Sequence, residues 1–146
     1  MSPLAGLLEN PTAPPRPAVA AGAQVHVIEP DPAVRSRLIC MLAELGCQPH
    51  RVSWRAATEH ALFACDLLIW NWVDWVAHSP LPPDQQHLPV WPRVILVSPC
   101  PNEADWLEAL RAGAYDLVET PHSRESAQEF RRVLRQALGL PRDEES

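Results

Sequence analysis

Short continuous apolar runs alternate along the chain with longer stretches in which apolar residues recur at the helical period. The clearest short run is residues 66–71 (DLLIWN), which has a polar residue at each end. Such a run predicts a strand buried on both faces, as in the centre of a parallel sheet. Its last residue, Asn71, would then lie at the carboxyl edge of the sheet, where ligands and reactive groups gather in open α/β proteins.

Further apolar or β-branched runs predict more strands, and the amphipathic stretches between them predict helices. The predicted strands are 24–28, 47–52, 66–71, 93–98 and 115–119. The predicted helices are 32–45, a stretch capped by Ser53, a stretch capped by Asn102 in which Leu107 and Leu110 face inward, and a stretch capped by Ser123. Prolines between 71 and 92 exclude a long helix, so the third helix is predicted to be short or irregular, near 74–78, with at most another short helix near 84–87.

The alternation of strands and helices implies a parallel sheet covered on both faces, because right-handed crossovers between parallel strands pack helices onto the sheet. We therefore predict an α/β fold of the flavodoxin-like (βα)5 type, a doubly wound parallel sheet with strand order 2-1-3-4-5. The predicted domain covers 24–140. Residues 1–23 are interpreted as a disordered leader rich in Pro and Ala, and 141–146 as an acidic tail.

The acidic charge balance narrows the classes of function. The 146-residue chain has a net charge of -6 and a pI near 5.4. These values argue against nucleic acid binding by this chain alone and against attraction to an anionic membrane surface. The sequence shows neither an apolar run of transmembrane length nor a secretory signal, so we expect a cytoplasmic protein.

The sequence carries no pattern that indicates a metal or cofactor site. Its cysteines, Cys40, Cys47, Cys65 and Cys100, form no C-x-x-C pair, and we expect reduced thiols in the core. The histidines form no recognisable cluster. No glycine-rich loop follows the first predicted strand, so nucleotide or flavin phosphates have no cradle there. We therefore predict no metal and no cofactor.

Polar residues end or directly follow four of the predicted strands. The carboxyl edge of the sheet would gather Glu29, Asp31, Asn71, Ser98 and Thr120. Taken singly, each has an ordinary explanation, because Asn is a common turn former and acidic residues often surround a helix cap. Their order and spacing point to a shared site.

Four stretches carry a resemblance to a known family: VIEPDPAVR (27–35), DLLIWN (66–71), VILVSP (94–99) and AGAYDLVETP (112–121). On these residues, the chain resembles the receiver domain of bacterial two-component response regulators over about 24–139. Receivers end the first strand in two acidic residues and the third in the phosphoacceptor aspartate. They end the fourth strand in Thr or Ser and the fifth in a Lys-Pro pair.

The resemblance implies that the phosphoacceptor pocket of this chain is degenerate. Glu29 holds the first acidic position, but Pro30 replaces the second, which binds magnesium in the family. Asn71 replaces the phosphoacceptor, and Thr120 replaces the lysine. The two remaining positions are Ser98, which matches the family, and Leu117, which stands where many receivers place a Tyr or Phe that reports activation.

These replacements remove three parts of receiver chemistry. A neutral amide is a far weaker nucleophile than a carboxylate, so we expect no phosphorylation of Asn71. Magnesium affinity should be poor because Pro30 offers no ligand and Asp31 is expected to cap a helix. The chain contains no lysine that could balance phosphoryl charge. We therefore predict a pseudo-receiver in phosphorelay signal transduction that is not an enzyme and acts through protein–protein interaction.

Two surfaces are candidates for binding a protein partner or a second copy of the chain. Segment 72–91 carries Trp72, Trp75 and Trp91 among prolines that stiffen it. The alternative is that these tryptophans fold inward and cover the sheet. The second surface is the face that the family uses for dimers and outputs, made by the helix after Asn102, the last strand and the last helix. Its charged residues are Arg111, Arg131, Arg132 and Arg135 with Asp116, Glu125 and Glu129, and a solvated face is the alternative interpretation.

Two other functions stay open at the level of sequence. The chain could be the N-terminal regulatory domain of a longer DNA-binding response regulator. A small hydrolase that uses Ser98 and a histidine is disfavoured because the sequence lacks a G-x-S-x-G motif.

Overall fold

The computed structural model describes residues 22–53, 63–78 and 92–140, which contain a five-stranded sheet and four helices. In chain order the elements are β1 (Gln24–Ile28), α1 (Pro32–Glu44), β2 (Gln48–Arg51), β3 (Leu67–Asn71), α2 (Trp72–His78), β4 (Arg93–Ser98), α3 (Glu103–Arg111), β5 (Asp116–Glu119) and α4 (Arg124–Leu138). All strand pairs are parallel, and the order is β2-β1-β3-β4-β5. The predicted flavodoxin-like sheet is confirmed.

Several sequence predictions fall outside the described residues. These are the helix capped by Ser53, the short helix near 84–87, Trp91, the tail at 141–146 and nearly all of the leader. Gly22 and Ala23 are described, and Ala23 is buried in the core although the sequence places it in the leader. None of the helices in the described ranges has the length and hydrophobicity needed to cross a membrane.

The strand predicted from residues 66–71 lies at the centre of the sheet and is buried on both faces. Leu67, Leu68, Ile69 and Trp70 are 0% exposed. Alternation along the strand sends Leu67 and Ile69 into a core formed with α1 and α4, and Leu68 and Trp70 into a second core formed with α2 and α3. The sheet is therefore covered on both faces, as the fold requires.

Three helices begin at the caps that the sequence predicts. The Asp31 carboxylate accepts hydrogen bonds from the backbone N–H groups of Ala33 and Val34, and Pro32 follows at the first helical position. Asn102 and Ser123 each form a reciprocal capping box with the residue three positions later. Residue Gly139 ends α4 with φ of 71°, a left-handed conformation that glycine adopts without strain.

The orientation of α3 differs from the prediction. Leu107, predicted to face inward, is 41% exposed, whereas Ala109 is fully buried against the sheet. Two residues correspond to about 200° of rotation around a helix, so burying Ala109 turns Leu107 outward. The smaller Ala109 therefore faces the sheet, and a larger apolar side chain is left at the surface.

The cysteine prediction is correct for two of the four residues. Cys47 and Cys65 are buried, and burial raises the pKa of the Cys47 thiol. Cys40 and Cys100 are exposed, which contradicts a core position. Cys40 lies on the outer side of α1, and Cys100 lies in the loop after β4, where the sheet offers no cover.

The tryptophans of α2 are buried, which supports the second of the two predicted arrangements, in which they fold inward and cover the sheet. Trp72 is 7% exposed and Trp75 is 3% exposed. Trp75 packs edge-to-face on Trp70 with ring centroids 5.2 Å apart. Because α2 has only seven residues, the two large indole groups cover sheet surface that a longer helix would cover with more side chains.

We expect Trp75→Ala to destabilise the protein by about 3–5 kcal/mol, because the substitution leaves a large cavity beside Trp70. The measurement is the free energy of unfolding from denaturant titration. Val76→Ala is the matched control, since Val76 lies one residue further along α2 and is 53% exposed. Its effect should stay within about 0.5 kcal/mol. Equal effects of the two substitutions would contradict the inward packing of Trp75.

Candidate functional site

The carboxyl edge of the sheet brings together the predicted acidic turn and Asn71. The Asn71 side-chain amide donates a hydrogen bond from Nδ2 to Glu29 Oε1 at 3.1 Å. Its Oδ1 accepts a hydrogen bond from the backbone N–H of Asp74 at 3.0 Å. Both polar atoms of this side chain are therefore engaged, one with the end of β1 and the other with the first turn of α2.

Asn71 also acts as the N-cap of α2, because its oxygen satisfies an N–H group that has no partner within the helix. Asp74 in turn accepts a hydrogen bond from the Trp70 indole N–H at 2.8 Å. The sequence analysis missed Asp74. An Asn followed three residues later by an acidic residue is a pattern typical of a helix start, and it could have identified this role.

Glu29 is only 5% exposed, and its side chain is held by two neutral donors. Oε1 accepts from Asn71, and Oε2 accepts from the backbone N–H of Asp31 at 3.1 Å. Burial is the main cause that raises the pKa of the Glu29 carboxyl, and the negative charges of Asp31 and Asp74 add to it. The two hydrogen bonds act in the opposite direction and lower this pKa.

Two arginine side chains reach this edge of the sheet, and both donate hydrogen bonds to backbone carbonyl groups. The Arg35 guanidinium donates to the backbone carbonyl of Glu29 at 2.9 Å, and the Arg37 guanidinium donates to the carbonyl of Pro121 at 2.8 Å. Within the described ranges, no arginine forms an ion pair with the Glu29 carboxylate. The two arginines tie α1 to the loops after β1 and β5 and leave the buried carboxylate without a neutralising charge.

The remaining edge positions form a separate group. Ser98 and Thr120 are 5% and 8% exposed, and the Thr120 backbone N–H donates to the Ser98 carbonyl at 2.8 Å. Pro30 is exposed and offers no side-chain ligand. In the part of the chain that the structure describes, no hydrogen bond joins this Ser98–Thr120 group to Asn71, and none joins Ser98 to a histidine.

Leu117, at the predicted switch position, is 4% exposed and packs in the core shared by α2 and α3. Its side chain is apolar and has no polar atom that would favour a solvent-exposed rotamer. This packing places the Leu117 side chain inside the core.

The four arginines predicted for partner binding lie away from this edge. Arg132 forms a two-point ion pair with Glu129 within α4, at 3.0 and 2.6 Å. This pair lowers the pKa of Glu129. Arg111 is exposed, and Arg131 and Arg135 are half-buried.

The face that contains these arginines also exposes apolar residues that the sequence analysis did not place at the surface. We call it the α3–β5 surface, defined by Trp106, Leu107, Tyr115 and Asp116. Trp106 and Leu107 are each 41% exposed, and Tyr115 is 36% exposed. The Trp106 indole N–H donates to Asp116 at 3.0 Å, and the Arg93 guanidinium lies 5.3 Å from the Tyr115 ring centroid. The sequence predicts that Leu107 faces inward, and its pattern contains no signal that separates an inward from an outward orientation of this side chain.

Comparison with known proteins identifies the fold. No protein-family model matches the chain, and no curated protein matches it. It is similar to the signal receiver domain of NarL from Mycobacterium tuberculosis, with a TM-score of 0.55 and 20% identity over 82% of this chain and 98% of that chain. A structure of the CheA3 P1 domain in complex with CheY6 from R. sphaeroides matches with a TM-score of 0.60 and 12% identity, over 82% of this chain and 99% of that chain.

NtrX from Brucella abortus matches with a TM-score of 0.55 and 21% identity over 81% of this chain. The match covers 26% of NtrX, so the chain spans about a quarter of that protein. Together these similarities show that the chain has the fold of response-regulator receiver domains.

We expect Asn71→Asp to destabilise the protein by about 1–3 kcal/mol at neutral pH, because the Nδ2 donor becomes an oxygen facing Glu29. The new carboxylate raises the pKa of this carboxyl pair above its unfolded values. The lost stability should therefore return as the pH falls through the raised value and should be fully restored below about pH 4. The measurement is the difference in unfolding free energy from wild type at pH 7 and at successively lower pH, with EDTA present.

Asn102→Asp provides the matched control for this substitution. Asn102 is also a helix N-cap whose oxygen accepts a backbone N–H, but it is exposed. The control should change stability by no more than about 0.5 kcal/mol at either pH. An Asn71→Asp variant as stable as wild type at pH 7 would contradict the role assigned to the Asn71–Glu29 hydrogen bond.

Proposed function

We propose that this chain is a receiver-like signal-transduction module of the two-component type that is not phosphorylated and acts by binding other proteins. The observation that carries the proposal is the Asn71 side chain, whose amide is bonded at one end to Glu29 and at the other to the first turn of α2. The residue at the phosphoacceptor position therefore has a structural role in place of a chemical one.

The weak nucleophilicity of the Asn71 amide supports a structural role for this residue. Phosphoryl transfer to a receiver needs a carboxylate oxygen that attacks phosphorus, and a neutral amide is a much weaker nucleophile. Its Nδ2 atom is the donor to Glu29, and its Oδ1 atom is the acceptor from Asp74. An attack through either atom would break a hydrogen bond that holds this edge of the sheet.

The electrostatics of the edge also oppose phosphoryl binding. Glu29 is buried and lies near Asp31 and Asp74, so the local charge is negative. The Asp31 carboxylate is already engaged as the cap of α1, and Pro30 supplies no oxygen ligand for magnesium. Thr120 supplies no cation. An incoming phosphoryl group would thus meet uncompensated negative charge.

Output through protein binding fits the α3–β5 surface better than segment 72–91, because Trp72 and Trp75 are buried. Trp106 and Tyr115 are aromatic residues of the kind enriched at interface hot spots. Asp116 and Arg93 hold the two rings in place, which reduces the entropy lost on docking. The partner is a protein or a second copy of the chain, with neighbouring arginines and acidic side chains at the rim. No enzymatic activity, cofactor or nucleic acid is part of this proposal.

We expect the purified protein to take no label from small phosphodonors with magnesium or from a phosphorylated histidine kinase, because Asn71 offers no carboxylate. The measurement is intact-mass spectrometry, in which one phosphoryl group adds about 80 Da. Asn71→Asp alone should also stay unlabelled, since Pro30 and Thr120 still lack the metal ligand and the cation. The combined variant Pro30→Asp, Asn71→Asp, Thr120→Lys restores all three groups and serves as the positive counterpart. An acid-labile adduct on the wild-type protein would refute the proposal.

We expect Leu107→Glu to weaken self-association or partner capture at least tenfold, because it places a charge on the α3–β5 surface. Val76→Glu is the control, since Val76 is an equally apolar exposed helix residue outside this surface. Concentration-dependent sedimentation at low and high salt measures self-association, and contributions from rim ion pairs should weaken as salt rises. Equal behaviour of the two variants and wild type would argue against this surface.

A further inference from the structure

The α3–β5 surface exposes two aromatic rings that polar neighbours hold in place. The Trp106 indole N–H donates to Asp116, and the Arg93 guanidinium lies over the Tyr115 ring. Trp106, Leu107 and Tyr115 are three of the five large hydrophobic residues that are exposed in the described ranges, and the other two lie on α2. Ordered aromatic side chains lose little entropy on docking, so this surface is suited to a ligand with apolar groups.

The charge at this surface comes from the Asp116 carboxylate. Its Oδ1 accepts from the Trp106 indole N–H and the Leu117 backbone N–H, and both donors are neutral. Arg132 lies close enough to interact electrostatically with Asp116, but its guanidinium is already paired with Glu129. A carboxylate beside exposed rings favours a ligand that combines apolar groups with one cation.

The N-terminal sequence of the chain contains a segment with this chemistry. Pro11, Pro14 and Pro17 recur every three residues, and Arg16 is the only charged residue between positions 10 and 22. A polyproline II helix has three residues per turn, so this period places the three prolines along one side of such a helix. Proline-rich segments in this conformation bind in grooves lined by aromatic side chains. Residues 11–17 precede the part of the chain that the structure describes.

The proline-rich segment is tethered within reach of the α3–β5 surface. Gly22 precedes β1 at the amino edge of the sheet, and Tyr115 lies at the same edge, where its backbone N–H donates to the Val94 carbonyl. The sheet order separates β1 from β5 by three strand spacings, which is about 14 Å. The six residue steps from Arg16 to Gly22 can span up to about 20 Å. Arg16 and the prolines before it can therefore reach this surface of the same molecule.

We propose that the α3–β5 surface binds residues 11–17 of the same chain, with the prolines against the Trp106 and Tyr115 rings and the Arg16 guanidinium at the Asp116 carboxylate. The docked segment occupies the surface to which partner binding is assigned, so a partner has to displace it. This competition rests on the proposed function, whereas the docking itself does not.

Nuclear magnetic resonance of the full chain, with no partner and no phosphodonor present, tests the docking. Wild type should show nuclear Overhauser contacts between proline ring protons of residues 11–17 and the rings of Trp106 and Tyr115. Replacing the three periodic prolines by alanine should remove these contacts and shift the Trp106 indole N–H signal. Pro3→Ala is the matched control, since Pro3 lies outside the period of three, and it should leave that signal unchanged. The triple variant is Pro11→Ala, Pro14→Ala, Pro17→Ala.

Leu107→Glu is the reciprocal variant on the other side of the contact. It keeps Trp106 as the reporter and should also remove the contacts with the prolines, because Leu107 is exposed beside Trp106. The proposal is overturned if wild type shows no such contacts, or if the Trp106 signal is the same in wild type and the triple variant. An equal shift on Pro3→Ala would overturn it, since the periodic prolines would then not be responsible. Contacts that strengthen when the protein concentration is raised tenfold would overturn docking within one chain, because the segment would then come from a second copy.

Discussion

The hydrogen bonds of one amide, Asn71, hold together three parts of this fold. Its nitrogen reaches the carboxylate after β1, and its oxygen caps α2, so the ends of two central strands and a helix depend on the same side chain. Asp74 extends the connection to the fully buried Trp70. A carboxamide supplies a donor and an acceptor on two separate atoms without adding charge. The need for one donor and one acceptor therefore favours Asn at position 71.

The same constraint explains why a buried, negatively charged Glu29 is tolerated. A buried carboxylate without a cation is costly unless donors satisfy its oxygens, and here one amide and one backbone N–H do so. A second carboxylate at position 71 would remove one of those donors and add like charge. Pro30 supplies no oxygen ligand for a metal ion, and the sequence contains no lysine that could offset such charge. The amide at position 71 therefore satisfies the buried Glu29 carboxylate without adding a second charge to this edge.

The sequence predicted the strands and their order well, because the two-residue period identifies each strand and the parallel topology sets the strand order. Asp31, Asn102 and Ser123 carried cap signals that act within one turn, and each helix begins where these signals indicate. The outward turn of Leu107 and the burial of Trp75 were not predictable, since helix rotation depends on which side chains fit against the sheet. His26 and His50 are 24 positions apart in the sequence, and the parallel register of β1 and β2 makes them neighbours in space.

Asp116 links the protection of the sheet edge to the display of the exposed aromatic surface. The strand β5 lies at the edge of the sheet, where free backbone N–H groups invite pairing with another strand. Oδ1 of Asp116 accepts both the N–H of Leu117, at 2.8 Å, and the indole N–H of Trp106, at 3.0 Å. One carboxylate oxygen of Asp116 therefore satisfies the backbone N–H of Leu117 and also orients the exposed indole of Trp106. At Leu117 the edge of β5 therefore presents an ordered side chain in place of a free backbone donor, which disfavours extension of the sheet by another strand at this position.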